Sequence, residues 1–428
     1  MRRATLLLLF TGCAQALHAP MKMKSSSSST APRRSFLAGA FAGAAGATAG
    51  LSSLPRAAGA AASLSSAYDP AGAATRPLAG RNYFPPLTPP LANRATYRYE
   101  LGRNAWALEQ LLVFSNVSAT VRTIVIKLED GSLWVDGPQW PTGEFCALLD
   151  ELGPVGHVVL PCVALEHKAP MQAFTKKYPS ASVWVAPGQY GPFGEIGLDA
   201  ASSKMPYRVD GVFPVGAPKE GVDALPPWAN EFDMRTLYVS LPENAGPVSE
   251  TAFYHKPSKT LVTTDAVVWV PDEAPPIFGT FFDEEATAAE GFWAKSVLQA
   301  VFLPLRFVEG KFDPSNYDAV RGRLLRAPIL RAFADARAPQ AVKDWVTSVA
   351  NIGPFDRILT AHFASPISVT DAAKDFSSAF TYLDGPSSDP PIRCGDWELL
   401  DGLNDLIATN KLGAPIQEGF DFKAGCKP

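Results

Sequence analysis

Thirteen residues decide how this 428-residue chain is read: Val155-Gly-His-Val-Val-Leu-Pro-Cys-Val-Ala-Leu-Glu-His167. Residues 155–161 are a short apolar run bounded by prolines, the pattern of a buried strand. The remainder is a loop that ends on Glu166-His167. A rigid strand therefore delivers two polar side chains to its end, where a ligand can be held. His157 lies inside the apolar run and reads as a structural histidine. Upstream, Gly153-Pro154 stops a helix over residues 142–152, with Thr142 as its cap. Before that helix, the β-branched run 121–128, the turn Glu129-Asp130-Gly131-Ser132 and the run 133–136 form a hairpin. Downstream, residues 169–178 carry helical spacing and residues 182–186 read as another strand.

Farther along, residues 235–241, 250–255 and 260–264 are strands, with Lys256-Pro-Ser-Lys259 as the turn between the last two. Long helical segments follow over residues 284–302, 316–336 and 340–349. A last strand covers 357–360 and a last helix 369–380. Residues 394–428 form a C-terminal extension with a helix near 397–410. Hairpins, then strand–helix alternation, then hairpins, then helices imply an α/β fold in which sheet packs on sheet with helices outside. The aromatic segment 278–282, with Phe292, Trp293, Phe302 and Phe307, reads as core or as a helical lid.

Charge divides the chain in two. Residues 1–68 contain no Asp or Glu and seven basic residues, and removing those seven leaves 31 basic against 42 acidic residues, a net −11, in the remaining 360. An acidic body repels phosphate, which argues against nucleic acid as a partner. The body has no apolar run of the ~18 residues that a membrane-spanning helix requires. The cationic leader has three parts. Arg2 and Arg3 before an apolar stretch, closed by Ala16-Leu-His-Ala19, have the pattern of a secretory signal. Lys22, Lys24 and the serines 25–29 have the composition of a plastid transit segment. Arg33-Arg34 before a weakly apolar stretch ending at Ala60-Ala61-Ala62-Ser63 has the pattern of a twin-arginine export signal. Together they resemble the tripartite leader of a thylakoid-lumen protein in an alga with a secondary plastid; alternatively they are a single plastid transit peptide that includes the Ala-rich stretch. Residues 1–63 are thus the leader and residues 64–93, rich in proline, a linker. Of five cysteines, Cys394 and Cys426 flank the extension; they could pair in an oxidising compartment or remain free thiols.

Three polar groups follow strands directly: His167, Asp265 after Thr260-Leu-Val-Thr-Thr264, and His362 after Arg357-Ile-Leu-Thr-Ala361. Around them, Leu165-Glu-His-Lys168, Trp184-Val-Ala-Pro-Gly188, Phe253-Tyr-His-Lys-Pro-Ser-Lys-Thr-Leu261 with Thr264-Asp-Ala266, and Ala361-His362 resemble the plant, algal and cyanobacterial family called domain of unknown function 4336. The likeness covers roughly residues 95–385, set within a domain over 94–385 that is followed by the extension 386–428. That family in turn resembles the metallo-β-lactamase superfamily. The resemblance implies an αββα sandwich of metallo-β-lactamase type with added C-terminal helical segments, and metal ligands on strand-end loops.

The superfamily loop reads His-x-His-x-Asp-His. Ended on His167, it places Cys162, Ala164, Glu166 and His167 at those positions. Asp265 matches the metal-bridging Asp and His362 the late histidine. The third histidine, about twenty residues before the bridging Asp, falls at Pro242-Glu243-Asn244. The resemblance therefore implies a lost half-site at Cys162, Ala164 and Glu243 or Asn244, and a surviving one at Glu166, His167, Asp265 and His362. Two imidazoles and two carboxylates suit one divalent zinc, iron or manganese. Alternatively, Glu166-His167 is an ordinary hydrogen-bonded pair, no metal is held, and the fold serves as a non-catalytic binding or assembly scaffold. Further pocket candidates are Cys162, Glu243, His255 and Lys168. His255 stands beside a turn that it would stabilise if it does not reach the pocket. Lys168 would hold an anionic group or be an ordinary solvated lysine. Ser258 and Ser365 lie near histidines, but no Gly-x-Ser-x-Gly surrounds either. Neither a small-molecule substrate nor a protein partner can be named from these residues.

Overall fold

The computed structural model describes residues 63–64, 94–114, 117–189, 205–240, 247–409 and 414–428. The leader up to residue 62, the linker from residue 65 and Glu243 lie outside them. The described residues form two main sheets. One has seven strands in the order Tyr97–Gly102, Ala105–Phe114, Val117–Lys127, Leu133–Asp136, Val155–Leu160, Ser182–Val185 and Gly211–Val212. Its first four strands pair antiparallel and its last three join in parallel. The other has six strands in the order Ser63–Leu64, Ile367–Ser368, Arg357–Leu359, Thr260–Val262, Val248–His255 and Phe232–Val239. Its central pair, Thr260–Val262 with Arg357–Leu359, is parallel.

Strands buried on both faces read as continuous apolar runs, and the alternation within them assigns each side chain to a layer. Ile124 and Ile126 point between the sheets, where Trp134, Trp228, Phe232 and Phe253 fill the centre. Trp134 stacks on Phe232 at 4.7 Å and meets Phe253 edge-on at 5.2 Å, the offset and T-shaped arrangements that aromatic quadrupoles favour. Val125, Val135 and Val158 point the other way, under Phe145, Leu148 and Phe174 of the helices Gly143–Asp150 and Met171–Lys177. Thr142 caps the first of these by accepting from the Phe145 N–H at 3.2 Å. On the far side of the second sheet, Leu237, Leu261 and Ile358 lie under Val342, Trp345, Val349 and Phe376 of the helices Pro339–Ala350 and Ala372–Ser378. The layers run helix, sheet, sheet, helix, the expected αββα sandwich.

Local reading misplaces two features. Residues 316–336 are not one helix but Ser315–Val320, the strand Leu324–Leu325, Pro328–Phe333 and a short 3-10 turn Asp335–Arg337. Gly322 at φ +64° ends the first, and Pro328 has no N–H with which to continue an earlier one. Residues 284–302 likewise divide into Glu284–Thr287 and Phe292–Ala300, with Gly291 at φ +69° between them. The aromatic segment is core: Phe278, Phe282, Phe292 and Trp293 pack with Leu111 and Val113 of the first sheet and Trp397 and Leu400 of the extension, while Phe307 stands out exposed. Cys394 and Cys426 form a disulfide, with Cα atoms 5.0 Å apart, which closes the question the sequence left open. Among the described residues, no helix is long and apolar enough to cross a membrane.

Trp134 is fully buried at the centre of the inter-sheet layer. Trp134→Ala is expected to lower unfolding stability by about 3–5 kcal/mol through lost transfer energy and the cavity left behind. Urea unfolding followed by far-UV circular dichroism measures it.

Candidate metal centre

Three parallel strands point their C-terminal ends at one edge of the sandwich. Val155–Leu160 comes from the first sheet, and the paired Thr260–Val262 and Arg357–Leu359 from the second. Cys162 forms an isolated bridge with Glu250, and the Thr251 N–H donates to the Pro161 carbonyl at 2.8 Å, so the two sheets are stitched together at this edge. The loops leaving the three strands carry Glu166 and His167 on the short helix Leu165–Lys168, Asp265, and His362.

These four side chains converge, as the sequence implied. One ligand atom from each lies within 4.8 Å of all the others. The Nε2 atoms of His167 and His362 are 3.4 Å apart, and Asp265 Oδ1 is 3.7 Å from the first and 3.0 Å from the second. Ligand bonds of about 2.0–2.2 Å place the corners of a tetrahedron about 3.3–3.6 Å apart, and the three spacings among His167, His362 and Asp265 bracket that range. His362 Nδ1 lies 2.9 Å from the Thr120 carbonyl oxygen. That oxygen only accepts, so Nδ1 carries a proton, and Nε2 is the nitrogen that faces Asp265 and His167. The Arg122 N–H donates to the Ala361 carbonyl at 2.8 Å, so the strand Val117–Lys127 clasps the His362 loop twice. Phe363, at φ +55°, turns the chain away directly after the ligand and seats its ring 6.1 Å from Trp293. His167 is fully buried, and its Nδ1 has no hydrogen-bond partner among the described residues. A Cβ on Gly137 would stand 3.2 Å from that nitrogen, so the ring fits over a glycine at φ +56°.

Burial alone would raise the Asp265 carboxyl. The hydrogen bonds and charges of His167 and His362 overcome it and hold the group well below the usual carboxylate range. Burial would lower His362, and Asp265 raises it instead. Behind the ligands sits Glu250, which local sequence signals did not single out. Its Oε1 accepts the N–H groups of Thr264, Asp265 and Ala266 at 2.9, 3.0 and 2.8 Å. Burial, and then the neighbouring Asp265, push Glu250 up to about 7, against the opposing pull of Arg326. Asp136 is also buried here, and burial with the Glu250 charge raises it well above the carboxylate range. The signal for these two was an acidic residue within or ending an apolar strand, where an unpaired charge is costly.

Of the other pocket candidates, Cys162 is buried, and burial followed by the Asp265 and Glu250 charges pushes its thiol well up, away from the thiolate that binds metal. Lys168 is half-buried near Cys162 and Glu166, and burial pushes it down to about 8. His255 does not belong to the centre. It ends the strand Val248–His255 at the opposite edge from Glu250, where its Nδ1 is 2.7 Å from Ser258 Oγ and its Nε2 3.4 Å from Glu231 Oε2. It stabilises the turn, and His157 pairs with Ser182 Oγ at 2.7 Å as a structural histidine.

Strand-end ligands at the shared edge of two stacked sheets define a metallo-β-lactamase-type sandwich with a candidate metal centre. The family model for a domain of unknown function (DUF4336) matches residues 103–300 and 302–382, and the chain belongs to that family. No curated protein matches it. Among solved structures it is similar to a metal-soaked flavodiiron core from Synechocystis sp. PCC6803, with 10% identity and a TM-score of 0.38 over 68% of this chain and 61% of that one. A metallo-β-lactamase from Pontibacter korlensis matches with 10% identity and a TM-score of 0.33, over 68% of this chain and 99% of that one. A putative diflavin flavoprotein fragment from Nostoc sp. PCC 7120 matches with 12% identity and a TM-score of 0.36, over 74% and 98%. The chain spans about three-fifths of the flavodiiron core's length.

His255 also sets a pH dependence. Burial, with Arg357 beside it, pushes the imidazole from its ordinary 6.5 down to about 4. The folded state thus favours the neutral ring, and the unfolded chain takes up the proton first as pH falls. The stabilisation is complete above about pH 6.5 and is lost progressively towards pH 4. His255→Gln is expected to flatten that part of the stability–pH curve, as measured by urea midpoints across the range.

Proposed function

We propose that this chain is a plastid metallo-β-lactamase-like protein that holds one divalent zinc, iron or manganese ion and acts as a hydrolase of a small ester, thioester or phosphoester. The observation that carries the reading is the convergence of one ligand atom from each of four side chains within 4.8 Å, three of them 3.0–3.7 Å apart. His167, His362, Asp265 and Glu166 would hold the ion. When bound, such an ion supplies Lewis acidity and makes water nucleophilic near neutral pH. The chain's own groups prepare for it. The Thr120 carbonyl keeps His362 in the ligating tautomer. Asp265, held ionised by the two imidazoles, supplies negative charge at the centre.

The leader composition supports a plastid location and the twin-arginine pattern a lumenal one. A disulfide within the extension is consistent with an oxidising compartment. The second reading, a scaffold without catalysis, draws on Ala164, which offers a metal nothing, and on the buried thiol of Cys162.

Metal analysis of the protein after loading with zinc, iron and manganese separates the two. The hydrolase reading expects about one equivalent of one of these ions, and His167→Ala should release it. Retention below about one tenth of an equivalent would leave the scaffold reading.

A further inference from the structure

The C-terminal extension is connected to the Asp265 loop through the turn Asp335–Arg337 and Arg326. Its ends are tied by Cys394–Cys426 across 32 residues of sequence. Cys394 is exposed and Cys426 half-buried, so the bond is open to attack from solvent. The extension grips the turn Asp335–Arg337 twice. The Gln417 N–H donates to the Ala336 carbonyl at 2.8 Å, and Arg337 Nε donates to the Ala414 carbonyl at 2.8 Å. Asp335, fully buried, accepts from Arg326 Nε at 2.9 Å and Nη2 at 2.8 Å, and from the Tyr382 hydroxyl. The other end of the Arg326 guanidinium faces the metal-ligand loop. Its Nη1 donates to the carbonyls of Asp265 at 3.3 Å and Ala266 at 3.2 Å, and lies 3.9 Å from Glu250 Oε2. Arg331 adds a parallel link, with its guanidinium 4.1 Å from the Tyr382 ring and 5.1 Å from the Trp397 ring of the extension.

A buried guanidinium of this kind holds its position only while its carboxylate partner stays in place, because it has no water to turn to. Outer groups that orient ligands in this way govern metal affinity. We propose that Arg326 is a positioning residue for Asp265, and that the Cys394–Cys426 disulfide sets through Asp335 how firmly Arg326 holds the loop, so that the affinity of the metal centre responds to a dithiol reductant. The step is an exchange. The dithiol forms its own disulfide as the Cys394–Cys426 bond breaks, and two electrons and two protons pass to the two cysteines. The extension then loses its closure, residues 414 and 417 release the turn, and the hold on Asp335 and Arg326 slackens.

The proposal rests on the metal-centre reading. Its test uses the full chain and zinc alone, with affinity read by competition against a chromophoric chelator and geometry read from the absorption spectrum of the cobalt(II)-loaded protein. Reduction with a phosphine, which spares zinc, and the Cys394→Ser, Cys426→Ser double variant are each expected to weaken zinc binding about tenfold and to alter the cobalt spectrum. Far-UV circular dichroism should stay unchanged. Arg326→Gln in the oxidised protein is expected to weaken binding by a similar factor and to abolish the further response to reduction, because the two changes act on one connection. Should that variant not fold, Tyr382→Phe removes only the hydroxyl bond to Asp335 and serves the same comparison. Equal zinc affinity in oxidised and reduced protein overturns the relay and leaves the metal centre standing. A full response to reduction in Arg326→Gln overturns the route through Arg326. Absence of zinc from every form, the oxidised parent included, overturns the metal centre and the relay with it.

Discussion

One carboxylate oxygen organises the site. Glu250 Oε1 accepts three consecutive N–H groups, from Thr264, Asp265 and Ala266. These donors follow the strand Thr260–Val262 and point into the protein, where water cannot satisfy them. One oxygen shared by three donors restrains the loop, and it fixes the backbone from which the Asp265 side chain projects. Ala361 N–H, 3.4 Å from the Thr264 carbonyl, carries the same order across to the loop of His362. The position of two of the four converging ligands therefore descends from a residue that is not itself a ligand.

The restraint has an electrostatic consequence. Glu250 and Asp136 are buried beside the half-buried Asp265, and desolvation opposes ionisation of all three. Arg326 answers part of that charge, but it is shared with Asp335, which takes both of its strongest bonds. Asp265 alone is driven below the carboxylate range, because two imidazoles face it. The two imidazoles thus favour the charged form of the one carboxylate that points between His167 and His362, while burial pushes Glu250 and Asp136 up. A cluster of acids would otherwise repel itself apart; here the environment selects which member stays charged.

The sequence showed the ligands more readily than their support, for a physical reason. Asp265 and His362 follow short apolar runs and His167 ends the loop after another, so strand position brings them to one edge. The αββα layering was legible because runs such as residues 121–128 are buried on both faces. The hairpin Tyr97–Gly102 with Ala105–Phe114 was less so: its turn residues Arg103 and Asn104 take φ +55° and +56°, a conformation usually announced by glycine. Helical spacing over residues 316–336 predicts one helix, and Gly322 and Pro328 break the chain there. Arg326 meets Asp265 across 61 residues of sequence and Glu250 meets it across 15, separations at which no local pattern signals contact. The same holds for Cys394 and Cys426, whose pairing depends on how the extension folds back.

The loss of the other half-site can be argued from the same contacts. Ala164 presents no donor atom. The Cys162 backbone is bridged to Glu250, its carbonyl accepts from Gln189 Nε2 at 2.9 Å, and its thiol is held protonated by burial and by two carboxylates. Were a second cation beside Cys162 to recruit Glu250, it would compete with the three N–H groups that its Oε1 accepts and that hold Asp265 in place. Pulling Glu250 towards a second ion would release the loop that carries the ligand to the first. In this chain a two-metal arrangement and the Glu250 restraint compete for the same carboxylate, and the hydrogen bonds observed are those of the restraint. The contacts around Asp265 thus favour the proposed single ion over a bridged pair.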